Sequence, residues 1–299
     1  MIDFNHAPTA RGVFYGGNAG AKEAVIYDDH LWMIKYPKTN TTSPLSEYLG
    51  SKIYEILGIP VHETVLGLRK DKVVVACKDF ILKPGTFSAT HRLIPFHDLK
   101  NSFMSGDLEA YSGTGSETLL GEVLAAIHSQ EDLKDNPNVI NRFWDMFVID
   151  AFIGNSDRNN GNWGILWDTS TGETTLAPVY DNGNAFFNKR SIVQMEKRLA
   201  DDNAMQEDAY RTLTCAYKHT GLDNEGHLIN PFRFIEEGSI QECSDAVSRF
   251  LKNINMNEIK ALIDSIPESL GVLAIMPGIQ KQFYMKLMEI RLERLERCH

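Results

Sequence analysis

Asp157, Asn162 and Asp181 are the residues whose types and spacing best suit chemistry. Asn162 follows Asp157 by five positions in Asp157-Arg158-Asn159-Asn160-Gly161-Asn162, and Asp181 comes 19 residues after Asn162. Carboxylate and amide oxygens are hard donors, the kind that Mg²⁺ prefers. Residues 163–167 and 174–179 are rich in aromatic and β-branched side chains, and Thr169-Ser170-Thr171-Gly172 between them is turn chemistry. That pattern predicts a β-hairpin. Its open ends would bring Asn162 and Asp181 within several ångströms of each other, with Asp157 on the tight loop just before.

The order and the first spacing match the catalytic apparatus of protein kinases. There an Asp accepts the substrate hydroxyl proton, an Asn five residues on holds one Mg²⁺, and a later Asp holds the other. The competing reading is two polar turns, 157–162 and Asp181-Asn182-Gly183, with no chemistry. Three such residues on one predicted hairpin favour the catalytic reading. Arg158 could contact phosphate or brace a carboxylate, although a loop arginine is more often a structural ion-pair donor. Asp150, at the end of the preceding helical pattern, could brace the loop or simply face solvent.

The elements that would position such a site lie on both sides of it. Gly16-Gly17-Asn18-Ala19-Gly20-Ala21-Lys22 is a small-residue loop between Tyr15 and a strand at 23–27, and a second strand follows at 31–36. Glycines let backbone amides approach phosphate, and Lys22 would add charge; a plain Gly-rich turn is the alternative. The loop has neither Walker A nor Gly-x-Gly-x-x-Gly spacing. Lys35 is a lone cation in the second strand. Ser43 as N-cap, Pro44 in the first turn and Gly58 past the end predict a helix over 44–57. A strand lysine followed by a helix carrying Glu is how kinases orient phosphates. Periodicity favours Glu47 over Glu55 only weakly.

Strands are predicted at 61–68 and 72–76. They lead into Lys78-Asp79-Phe80, a polar corner whose backbone could hold adenine. Pro84-Gly85 marks a boundary between an amino-terminal part, 1–83, and a mostly helical part, 84–299. In the latter, 97–117 reads as loops with a short helix, and helices are predicted at 119–129 and 139–152. A flexible loop is predicted at 184–203, and helices at 207–220, 232–253, 256–266 and from 278 to the end. His128, His219 and His227 have no metal-ligand spacing.

With 299 residues, 43% of them hydrophobic and 23% charged, the composition is that of a soluble globular protein with a sizeable core, and the predicted strands followed by helices make it α+β. The net charge of −10 argues against nucleic acid or an acidic membrane as the main partner. Cys77, Cys215, Cys243 and Cys298 show neither zinc nor disulfide spacing. No leader pattern and no membrane-spanning apolar run are visible, so a cytoplasmic location is expected.

Taken together, the segments 16–22, 33–37, 46–50, 75–80, 154–164 and 177–181 resemble the HipA-like serine/threonine kinases, in their short single-chain form. The resemblance implies a bilobal kinase-like fold, ATP with Mg²⁺, and phosphorylation of protein Ser or Thr, autophosphorylation included. It further implies Lys35 as phosphate ligand paired with Glu47, Asp157 as base, and Asn162 and Asp181 as metal ligands. Residues 16–22 with Lys35, Lys78-Asp79-Phe80 and Arg158 would line the nucleotide. Two positions depart from the family. Ala21 replaces a frequent loop Ser whose phosphorylation is self-inhibitory, and Asn159 replaces a common His. The chain also has no room for the amino-terminal subdomain of longer members, so the family's toxin–antitoxin relation implies only a possible antitoxin-like partner. A small-molecule or lipid kinase, and a non-catalytic nucleotide-binding partner protein, are the rival readings.

Overall fold

The computed structural model of the protein describes residues 1–15, 22–82, 89, 91–104, 118–134, 136–220 and 226–298. β1 (Ile2–Asp3), β2 (Lys22–Tyr27), β3 (His30–Lys35), β4 (Thr64–Arg69) and β5 (Lys72–Lys78) form a sheet in the order β1-β4-β5-β3-β2. All pairs are antiparallel except β1 with β4. The turns Asp28-Asp29 and Lys70-Asp71 both have two residues at positive φ. That geometry matches the right-handed twist of the strands it joins.

α1 (Ser43–Ile56) lies between β3 and β4 in the chain, with Pro44 in its first turn and Gly58 at φ +74° beyond its end. Thr42, rather than the expected Ser43, flanks the start, and its hydroxyl is bonded to the Asn188 carbonyl instead of capping the helix. Val25, Trp32, Ile34, Val74 and Ala76 close over Phe4 as a small core of the sheet. Leu45, Leu49, Ile53 and Tyr54 of α1 belong to a different and larger core, shared with Leu66 and Val75 and continuing into the helical remainder through Trp144, Val148 and Phe152.

That remainder begins with β6 (His91–Pro95), α2 (Phe96–Met104), β7 (Thr118–Leu119), α3 (Leu120–Ser129), α4 (Glu131–Lys134) and α5 (Pro137–Ile153). The expected boundary at 83/84 and most of the loop region 97–117 lie outside the described residues. α5 is capped by the Asn136 side chain and ends at Gly154, left-handed at φ +71°. β8 (Gly164–Asp168) and β9 (Thr174–Leu176) form the predicted hairpin. Asp168 Oδ1 accepts from Ser170 N and Thr171 N in its turn. β6 adds a third strand, antiparallel to β8.

Residues 184–203 are not the loop their polarity suggests. Phe186 is fully buried, and α6 (Ile192–Leu199) and α7 (Asp202–Gln206) follow, α6 opening with a Ser191–Gln194 capping box. The helix expected over 207–220 is instead a π-helical turn, Glu207–Arg211, followed by β10 (Tyr217–Lys218), which pairs with β7. Leu213 and Tyr217, spaced like one helix face, are both buried from an irregular stretch. The pattern over 232–253 splits into α8 (Pro231–Glu237) and α9 (Gln241–Asn253), because Gly238 at φ +57° ends the first. α10 (Met256–Ser265), the pair β11 (Ser269–Leu270) and β12 (Leu273–Ala274), and α11 (Gly278–Glu296) complete the chain. Among the described residues no helix is long and apolar enough to cross a membrane.

Candidate active site

Lys35 stands at the end of β3, where its ammonium meets two carboxylates. Glu47 Oε2 lies 2.8 Å away and Asp181 Oδ1 2.9 Å away. Burial opposes the lysine's charge, but Glu47 and Asp181 outweigh it and hold the pKa above the ordinary lysine value. Glu47 is 1% exposed. Burial works against its ionisation too, yet Lys35 and His62 keep its pKa below the usual carboxylate range. Lys35 lowers the pKa of Asp181 in the same way. Glu55, the other helix candidate, faces outward and pairs with Lys52 at 2.6 Å.

Lys22 is directly opposite Lys35 in the β2–β3 register, so the two cations project from one face of the sheet. Burial, and then Lys35, push the Lys22 pKa down. Gly16, Gly17, Asn18, Ala19, Gly20 and Ala21 lie outside the described residues.

His62, which no sequence signal singled out, closes the acidic end of this group. Its Nε2 lies 3.0 Å from Glu47 Oε1 and 3.1 Å from Ser51 Oγ. Asn182 N also donates to Glu47 Oε1 at 3.1 Å, and Asn182 Nδ2 to Ser51 Oγ at 3.0 Å. Cys77 completes the buried group, with its thiol pKa pushed up by burial and therefore neutral. α1 sits so close to the Asp181 segment that a Cβ on Gly50 would stand 2.7 Å from the Asn182 Cβ.

Arg158 organises the loop. Its Nε donates to Asp150 Oδ2 at 2.8 Å, Nη1 to the carbonyls of Asn162 (2.9 Å) and Tyr180, and Nη2 to Asp150 Oδ1 (3.3 Å) and Asn182 Oδ1. A guanidinium has five N–H groups, and all five are used. Arg158 is thus a brace, with every N–H group directed to a protein acceptor. By bonding the Asn162 and Tyr180 carbonyls together it closes the hairpin mouth. Asp150 is 4% exposed and also accepts from Tyr54 Oη (2.9 Å) and Asn155 Nδ2 (3.1 Å), so it braces the loop rather than facing water.

Asp157 lies beyond this brace at the accessible edge of the loop. Asn155 Oδ1 receives its N–H at 3.1 Å, and Asn159 Nδ2 donates to its carboxylate at 3.0 Å. Partial desolvation raises the Asp157 pKa, and the negative charge of Asp181 adds to the rise. Asn162 Nδ2 donates to the Asp157 carbonyl at 2.7 Å, which turns the amide oxygen the other way. Among the described residues, Asn162 Oδ1 and Asp181 Oδ2 have no protein hydrogen bond, and the Asp181 side chain is 42% exposed. Two accessible oxygen donors from opposite sides of the hairpin mouth fit a hard divalent cation. Asp181 itself is left-handed at φ +60°, a conformation Asp tolerates better than most residues.

The corner at 78–80 is more occupied than expected. Lys78 Nζ pairs with Glu63 at 3.0 Å, and the N–H groups of Lys78 and Asp79 bond the Glu63 and Leu31 carbonyls. Tyr15 Oη donates to Asp79 Oδ2 at 2.8 Å, while Oδ1 takes the N–H groups of Ile81 and Leu82. Among the described residues only the Phe80 N–H of this corner is unbonded, so the contribution left to it is one donor together with its carbonyls. A cavity of about 430 Å³ opens beside the Asp157 loop, lined by Ser156, Asn184, Phe187, Lys189, Gln194 and Thr212 among others.

The chain belongs to the HipA-like family, for the HipA-like C-terminal domain matches residues 17–254. It is 32% identical over 305 residues to the serine/threonine-protein kinase CtkA of Helicobacter pylori strain J99, across 98% of this chain and 86% of that protein. The crystal structure of a Helicobacter pylori proinflammatory kinase CtkA matches with a TM-score of 0.86 at 32% identity, covering 99% of this chain and 98% of that one. A chain of the Shewanella oneidensis MR-1 toxin–antitoxin complex of HipA, HipB and operator DNA matches with a TM-score of 0.57 over 96% of this chain and 67% of that one. At 12% identity this last likeness is one of fold alone.

Proposed function

We propose that this chain is an ATP- and Mg²⁺-dependent kinase that transfers the γ-phosphoryl group to a protein serine or threonine. The observation that carries the reading is the convergence of Lys35 on Glu47 and Asp181, opposite a loop whose carboxylate at 157 is accessible and whose pKa is raised. In this reading Lys35, held charged by its two neighbours, grips phosphate, with Lys22 on the same face. Asp157 takes the proton of the acceptor hydroxyl as the oxygen attacks the γ-phosphorus in line and the bond to the β-phosphate oxygen breaks, so that ADP leaves. Asn162 and Asp181 would hold Mg²⁺, which when bound neutralises charge on the phosphates. Catalysis then rests on positioning and fixed charge, which the buried Arg158–Asp150 brace is built to supply. The polar cavity beside Ser156 is the natural seat for the acceptor segment. Four free thiols are in keeping with a reducing compartment.

Incubation with labelled ATP and Mg²⁺ tests the reading. Label is expected on a protein Ser or Thr, either of this chain or of an added lysate, and Asp157→Ala and Asp181→Ala should abolish it while leaving the thermal unfolding transition in place. Full transfer by both variants would remove the proposal. Label confined to small molecules would move the acceptor class.

A further inference from the structure

We infer that His62 is a positioning residue for this reaction: it fixes the Glu47 carboxylate that holds Lys35 and ties that pair to the segment leading into Asp181. The inference rests on the kinase reading and deepens it.

Glu47 is ionised and therefore only accepts hydrogen bonds. The nitrogen 3.0 Å from its Oε1 must therefore carry a hydrogen, so His62 Nε2 donates to Glu47. Glu47 is then fully engaged: Lys35 holds Oε2, and His62 and the Asn182 N–H share Oε1. With 1% of Glu47 and 4% of His62 exposed, water does not substitute for either partner. The backbone of His62 is equally committed. Its N–H donates to the Val179 carbonyl at 3.0 Å and Val179 N–H returns to the Pro60 carbonyl at 2.9 Å, a parallel bridge two residues before Asp181. The imidazole therefore couples two things that must be in register for transfer, the phosphate-gripping lysine and the metal-binding aspartate. Ser51 Oγ lies 3.1 Å from the same nitrogen and accepts from Asn182 Nδ2, so α1 and, through it, the Asp181 segment hold the ring's direction.

A histidine that merely fills the core would not depend on Glu47, and a double-mutant cycle separates the two cases. The His62→Leu variant should lower kcat/KM for ATP about 10- to 100-fold, the usual scale for losing a partner that orients a functional side chain. His62→Gln, whose amide reaches the Nε2 position, should recover most of that loss, and His62→Asn, which is too short, should not. In a Glu47→Gln background His62→Leu should cost nothing further. Equal losses in both backgrounds, wild-type kinetics for His62→Leu, or a Gln variant no better than Asn at matched thermal stability would each overturn the inference. If His62→Leu does not fold, the Gln and Asn comparison decides alone. Should Asp157→Ala also retain full activity, it is the kinase reading that fails; if Asp157→Ala is dead and the His62 variants are normal, only the role of His62 falls.

Discussion

Lys35 and Asp181, 146 residues apart in the chain, are joined by an ion pair of 2.9 Å that ties the sheet to the segment after the β8–β9 hairpin. The same ammonium holds the deeply buried Glu47, so the two carboxylates stand in very different positions. Lys35→Met strands Glu47 without its main counter-charge, and removing one partner of a buried pair costs about 3–5 kcal/mol. Asp181→Asn, at a partly exposed position, should cost much less. Thermal unfolding is expected to show a large drop for the first and a small one for the second, with phosphotransfer lost in both.

Asp157 should behave oppositely in stability and in activity. Its folded-state pKa is raised, so the folded protein favours the protonated form and ionisation above that pKa works against folding. Asp157→Asn removes that charge and is expected to leave the unfolding temperature at pH 7 unchanged or slightly higher while transfer disappears. In the wild type, kcat/KM should fall as pH drops through the Asp157 pKa. That acid limb should lie above the ordinary Asp value of about 3.9, as a pH–rate profile would reveal.

Glycine to alanine inside a helix normally stabilises by about 1 kcal/mol. At Gly50 the sign should invert, because the new Cβ would meet the Asn182 Cβ at 2.7 Å, and Asn182 is fully buried and bonded to Glu47, Ser51 and Arg158. Gly50→Ala should therefore lower the unfolding temperature and also raise KM for ATP, since pushing α1 outward draws Glu47 away from Lys35. A stabilised, fully active variant would refute the close packing of α1 on the Asp181 segment.

Arg158→Lys keeps the charge but offers three donors from one point where five acceptor contacts are spread over Asp150, Asn162, Tyr180 and Asn182. Unsatisfied buried acceptors cost about 1–3 kcal/mol each. The variant should lose stability and, because the hairpin mouth is no longer closed, most of its activity. Titration with Mg²⁺ should show a weakened apparent affinity, whereas Asp157→Asn should leave that affinity close to wild type.

The hairpin and its three polar residues were legible in the sequence because strand periodicity and turn chemistry are local signals. α1 was legible for the same reason, from Pro44 and Gly58. Residues 184–203 were not, since their charged surface hid Phe186 and a short helix; the Ser191–Gln194 pair was the available signal. Over 207–220, Leu213 and Tyr217 imitate a helix spacing that the packing of β10 against β7 overrides. α11 looked amphipathic, yet Arg291 is completely buried, bonded to the carbonyls of Phe152 and Ala209, and its pKa is pushed down to about 9 by burial. His62 and the five-way use of Arg158 exist only in tertiary structure, where residues from α1, the loop and the hairpin meet. No spacing rule reaches that far.

Because Leu49 and Ile53 are locked into a core continuous with Val148 and Phe152, α1 is anchored to the helical part of the chain. Swinging it outward would wet apolar surface at about 25 cal/mol for every Å². Glu47 therefore reaches Lys35 from a helix whose placement the helical core dictates.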